Sequence, residues 1–102
     1  MSEVLTSENF NNFIKDNHKV LVDFWAPWCG PCRMLATNLT DAEPVLNEMG
    51  AKIAKINVDD EMALADRFNI NVIPALLVFE NGSLKARKEG YMSVNDIVDL
   101  CK

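Results

Sequence analysis

The sequence predicts a three-layer α/β domain built on a mixed sheet. Three observations carry this. Short apolar runs rich in branched residues alternate with stretches of helical periodicity along the 102 residues. The early runs are separated by helical stretches, so they lie parallel, because a parallel pair needs a long crossover. The last two runs are joined only by Asn81-Gly82, a tight-turn pair, so they return antiparallel. The expected order is helix, strand, helix, strand, helix, strand, strand, helix, in a single domain over residues 1–102.

Ser7 is placed to cap a first helix over about residues 8–17, with Phe10, Phe13 and Ile14 on one face. His18 sits in the turn that follows and reads as a surface residue. Residues 20–25, VLVDFW, form an apolar run of the kind covered on both faces, with Trp25 expected in the core. A long helix follows the stretch WCGPC. Leu35, Leu39, Ala42, Leu46 and Met49 recur at steps of four and three, one helical stripe, and Gly50 ends it. Pro44 falls inside the stripe, so a kink is expected there. Thr40 with Glu43 also resembles a capping box, which would split the helix in two.

Residues 51–59, AKIAKINVD, read as a strand. Residues 60–68 read as a helix with Met62, Leu64, Ala65 and Phe68 apolar, and Met34, Met49 and Met62 are all expected in the core. Residues 69–73 form a loop leading to Pro74. Residues 75–79 are a second buried strand, and 84–88 its hairpin partner. Gly90 precedes a last helix over about residues 94–101. Val94, Ile97, Val98 and Cys101 share its stripe, which makes Cys101 a small buried hydrophobe.

The charge balance narrows the partners. A net charge of -5 argues against a general nucleic-acid or anionic-membrane surface. No apolar run approaches the ~18 residues of a membrane helix. The N-terminal MSEVLTSENFNNF has neither the basic start nor the apolar core of a secretory signal, so a cytoplasmic location is expected. The three cysteines, Cys29, Cys32 and Cys101, are too few for a disulfide-stapled scaffold. In a reducing compartment a closely spaced pair tends to be transient and catalytic.

WCGPC places such a pair at a strand-to-helix junction. Pro31 suits a first helical turn, where its missing N–H costs nothing, and Gly30 allows a tight turn. Residues three apart in a first turn face the same way, so the two sulfurs can meet. Unpartnered N–H groups and the helix dipole favour a thiolate on the first cysteine, and the thiolate is what attacks disulfides. Cys29, at the start of the helix and expected to be exposed, is the candidate nucleophile. Cys32, one turn deeper, is the candidate resolving thiol.

A zinc site would need a second close pair, and Cys101 and His18 are distant and unpaired. A purely structural bridge over so short a loop removes little unfolded-state entropy. Asp23 interrupts an apolar strand. It is either buried, with a raised pKa suited to accepting a proton, or a strand-end acid in water. Lys55 by itself reads as a solvated strand residue.

The residues DFWAPWCGPC, 23–32, and NVIPALLVFENG, 71–82, resemble the two signatures of the thioredoxin family. The resemblance spans essentially the whole chain and implies a thioredoxin fold, a central mixed sheet with helices on both faces. It implies reduction of disulfides in client proteins by Cys29 and Cys32. It also implies recharge by thioredoxin reductase, so that NADPH and FAD act only indirectly and no cofactor is bound. A monomer acting without nucleic acid or membrane is expected.

By the same resemblance Pro74 is a cis-proline facing the cysteines, Asp23 is a buried acid that takes the proton of the second thiol, and Lys55 lies near that acid. Trp28, Gly30, Pro31, Val72, Ile73, Pro74 and Gly90 match the surface that receives substrate. The chain departs from the family at Thr37, where a kinking proline is common, and through residues 37–44. It departs again at Glu89, where an apolar residue is usual, and at Tyr91. Ala75 replaces a common threonine. An oxidase or isomerase on the same fold, a binding module or holdase, and a zinc module are the rival functions.

Overall fold

The computed structural model describes residues 2–102. The elements are β1 (Glu3–Val4), α1 (Phe10–Asp16), β2 (Lys19–Trp25), α2 (Gly30–Glu48), β3 (Ala51–Asn57), α3 (Met62–Arg67), β4 (Ala75–Glu80), β5 (Ser83–Glu89) and α4 (Val94–Leu100). The strands form one mixed sheet in the order β1-β3-β2-β4-β5. β2 lies parallel to β3 and antiparallel to β4, and β4 and β5 form the expected hairpin. At the hairpin tip Asn81 has φ 52° and Gly82 φ 83°, positive at both central positions as a type I′ turn requires. β1 was not anticipated: two residues carry no periodicity to read, yet they pair parallel with β3 at Glu3 opposite Ala54.

Alternation along β2 sends its side chains to two cores. Val20, Val22 and Phe24 join Phe10 and Ile14 of α1, Leu64 of α3, and Leu77 and Phe79 of β4. Leu21 joins Leu35, Leu39, Ala42 and Leu46 of α2, Leu76 and Val78 of β4, and Ile97 of α4. The sheet is therefore covered on both faces, α1 and α3 on one side, α2 and α4 on the other. Period two puts Asp23 on the Leu21 face, beneath α2. Cys101, fully buried, packs in that same core as expected.

The structure corrects several expectations. α1 begins at Phe10 after Asn9, with no side-chain cap; Ser7 instead gives its hydroxyl to Glu61, 2.7 Å away. α2 is one helix through Pro44, and Thr40 donates its hydroxyl back to Ala36 O at 3.1 Å rather than opening a capping box. Met34 and Met62 are exposed, at 61% and 70%, because each falls on the water side of its helix; only Met49 packs on the core. β3 stops at Asn57, and α3 is shorter at both ends than the span 60–68. Arg87 of β5 gives its guanidinium to the carbonyls of Phe68 and Asn69, satisfying groups left unpaired at the end of α3.

Candidate active site

β2 ends at Trp25, and the chain turns through 26–29 into α2. Cys29 is the N-cap of that helix, and its sulfur accepts the Cys32 N–H at 3.2 Å. Gly30 and Pro31 fill the first two helical positions, where an N–H would have no intrahelical partner. Cys29 and Cys32 are disulfide-bonded, with Cα atoms 5.2 Å apart. The expected exposure of Cys29 is not seen: it is 5% exposed against 3% for Cys32. In the oxidised pair each sulfur covers the other, and Ala26, Trp25, Val58 and Ile73 close around them.

A second segment faces this turn. The Ile73–Pro74 peptide is cis, and Ile73 O lies 3.9 Å from Cys29 Sγ. The Gly90 N–H bonds Pro74 O at 2.7 Å, with Gly90 at φ 91°, a conformation other residues rarely adopt. Val72 is half exposed, and Trp28 stands out at 67% exposure. The Trp28 indole N–H donates to Asp59 Oδ2 at 2.9 Å. The structure thus brings Trp28, Gly30, Pro31, Ile73, Pro74 and Gly90 to the cysteines and leaves the Val72 side chain facing water beside them.

Asp23 lies in β2, two residues before Trp25, which packs against the cysteines. It is 1% exposed, and its Oδ1 has no hydrogen-bond partner among the described residues. Burial pushes its carboxyl up from the ordinary 3.8 to about 7, against a downward pull from Lys55. The strand-end alternative, an acid in water, is excluded by that burial. Lys55 faces Asp23 across the β2–β3 pair, half-buried, with Nζ 4.9 Å from the centroid of the Trp25 ring. Lys55 also lines a cavity of about 240 Å³ with Ala36, Leu39, Thr40 and Glu43 of α2. Trp25, expected in the core, is half-buried and shared between Lys55 and the cysteines.

Three features here were not read from the sequence. Asp59 holds the Trp28 indole, and Asn38 holds Tyr91 Oη and Met92 O, at 3.0 and 2.8 Å. These pairs are 31 to 54 residues apart, and no local spacing marks them. Among the described residues no group of three or more His, Cys, Asp or Glu side chains could hold a metal ion, and no helix is long and apolar enough to cross a membrane. His18 lies on the surface, its Nδ1 2.7 Å from Asn81 Oδ1.

A disulfide at the N-terminus of the helix that leaves a central strand, faced by a cis-proline loop, defines a dithiol–disulfide oxidoreductase. Comparison with known proteins specifies which kind. The thioredoxin family model matches residues 1–102, and the chain belongs to the thioredoxin family. It is 35% identical to a thioredoxin of Mycoplasma genitalium over 100 residues, covering 98% of this chain and 96% of that one. It is 40% identical to a thioredoxin of Haemophilus influenzae over 109 residues, covering 98% and 95%. The crystal structure of mitochondrial thioredoxin 3 from Saccharomyces cerevisiae, in its oxidised form, superposes with a TM-score of 0.88 at 27% identity, covering 97% of this chain and 92% of that one. The thioredoxin fold expected from the sequence is the fold observed. The protein is a dithiol–disulfide oxidoreductase whose clients are disulfide-containing proteins, and family members need no bound cofactor.

Proposed function

We propose that the protein is a general reductase of protein disulfides in which Cys29 attacks and Cys32 resolves. We further propose that a thioredoxin reductase carrying FAD recharges it from NADPH, and that it works as a single-domain monomer in the cytoplasm. The observation that carries the assignment of roles is the Cys32 N–H aimed at Cys29 Sγ from the first turn of α2. Once the pair is reduced, that donor and the positive end of the helix favour a thiolate on Cys29 and do nothing comparable for Cys32.

The Cys29 thiolate attacks one sulfur of the client disulfide. A Cys29–client bond forms, the client S–S bond breaks, and the electron pair leaves on the second client sulfur. Cys32 then loses its proton to Asp23 and attacks Cys29 Sγ, releasing the first client sulfur as thiolate. The client gains two electrons, and the protein is left as the Cys29–Cys32 disulfide. Asp23 suits the second step because its pKa lies near neutrality, where a carboxylate both accepts and returns a proton. Lys55, opposite on β3, is the proposed counter-charge that keeps that value from rising further. Trp28, Gly30, Pro31, Val72, Ile73, Pro74 and Gly90 form the proposed receiving surface, with Pro74 and Ile73 beside the attacked bond.

The test is the equilibrium potential of the pair, read by alkylation and mass after titration against a dithiol buffer. A value more reducing than the cytosolic glutathione pool is expected, and a value well above it would point to an oxidase or isomerase instead. A Cys32→Ser variant should trap clients on Cys29, and turnover with NADPH and a thioredoxin reductase tests the recharge.

A further inference from the structure

We propose that Tyr91 is a specificity-determining residue: its ring, held by Asn38, selects client segments that carry an apolar or aromatic side chain beside the attacked cysteine. The proposal rests on the reading of Cys29 as the attacking thiol.

Tyr91 follows Gly90, whose N–H is bonded to the carbonyl of Pro74, and the neighbouring Ile73 carbonyl lies 3.9 Å from Cys29 Sγ. The residue after Gly90 therefore borders the segment facing the reacting sulfur. Both flanks of Tyr91 are fixed. Gly90 is tied to Pro74, and Met92 is 1% exposed with its carbonyl bonded to Asn38 Nδ2 at 2.8 Å. The same amide group reaches Tyr91 Oη at 3.0 Å. One side chain on α2 thus uses both of its amide hydrogens on the loop that leads from β5 to α4.

The ring is nonetheless 52% exposed. A tyrosine packed for stability would bury its ring and leave the hydroxyl to water. Here the polar tip is bonded to protein and half of the side chain remains outside. Trp28 has the same arrangement, with its indole N–H on Asp59 and its ring 67% exposed. Each aromatic has its polar handle bonded to another side chain and leaves apolar ring surface to water. An aromatic side chain already fixed in one pose loses little conformational entropy when a partner covers it. The fitting occupant is an extended client segment with an apolar or aromatic residue next to its cysteine, because a polar residue there gains nothing from an aromatic face.

Two disulfide peptides, identical except for Phe or Ser beside the attacked cysteine, test this. Reduced protein is mixed with each peptide in excess, and the single-turnover rate is followed to saturation. Reduction of hydroxyethyl disulfide, which is too small to reach Tyr91, serves as the control. The wild type is expected to half-saturate with the Phe peptide at about tenfold lower concentration than with the Ser peptide. Tyr91→Ala should abolish that preference while leaving the limiting rate and the control unchanged. Tyr91→Phe, which keeps the ring and loses the oxygen, should retain at least about threefold preference. A Tyr91→Ala variant that keeps the preference, or that slows the control in the same proportion, would overturn the proposal. Failure of the wild type on the control as well as both peptides would instead bring down the Cys29 reading on which it rests.

Discussion

Asp23 and Lys55 stand opposite each other on adjacent parallel strands, yet one is sealed from water and the other lies half-buried over the Trp25 ring. Attraction between them works against the desolvation of the acid, and desolvation wins: the carboxyl titrates near 7. Its pKa is thus raised on folding. The folded state holds a proton that the unfolded chain has lost between pH 4 and 7, so stability falls as pH rises through that window. A shift of about three pH units at ~1.36 kcal/mol each amounts to a penalty on the order of 4 kcal/mol above pH 7. Asp23→Asn should therefore be more stable than the wild type at pH 8, with the difference shrinking to little at pH 4. Urea denaturation of the oxidised protein at both values measures it. A gain of equal size at both would mean that the acid is not desolvated.

Trp28 should separate activity from stability. Two-thirds of its side chain is exposed, so Trp28→Ala should change stability by less than about 1 kcal/mol. Reduction of a protein disulfide should slow markedly, because the variant loses the ring beside Cys29. Thermal melting and an insulin-precipitation assay on the same sample separate the two effects. A large drop in melting temperature would place Trp28 among the structural residues.

Cys101 should be chemically silent in the folded protein. Burial pushes its thiol up to about 11, although Lys19 nearby pulls it down, and its side chain lies in the α2–α4 core. Both a protonated thiol and lack of access protect it from alkylation. Iodoacetamide at pH 8 should label Cys29 in the reduced native protein ahead of the more deeply set Cys32, and Cys101 only in denaturant. Rapid labelling of all three without denaturant is the contrary result.

Pro44 lies inside α2 and on its exposed side. A proline there removes a helical N–H and crowds the preceding turn, at about 3 kcal/mol relative to alanine, less the entropy it removes from the unfolded chain. Pro44→Ala should raise stability by about 1–2 kcal/mol and leave the potential of the pair unchanged. Denaturation midpoints with and without the substitution decide it.

Much of this was legible from local chemistry. The β2 run, the α2 stripe and the Asn81-Gly82 turn each state a period or a backbone requirement within a few residues, and each is found where expected. The WCGPC turn likewise announces its own geometry. Two-residue β1 has no period to announce. Met34 and Met62 are apolar by chemistry, but their place on a helix circumference decides which side meets water. Asp23 was undecided from spacing alone, since a charge in an apolar strand has two resolutions, and only the layer above it selects one. The Trp28–Asp59 and Asn38–Tyr91 bonds join residues far apart in the chain, so nothing short of the fold reveals them.

The sheet ends on one side at β5, SLKARKE, whose outer edge has no neighbouring strand among the described residues. Lys85 and Lys88 lie along β5, with Arg87 turned to the end of α3, and at the other margin β1 is only two residues long. A protein whose clients are other proteins risks being joined by them strand to strand, or by its own copies. Charged side chains on one margin and brevity on the other make both borders poor templates for a further strand. The flanks thus discourage strand addition, and contact with other chains is left to the cysteine end.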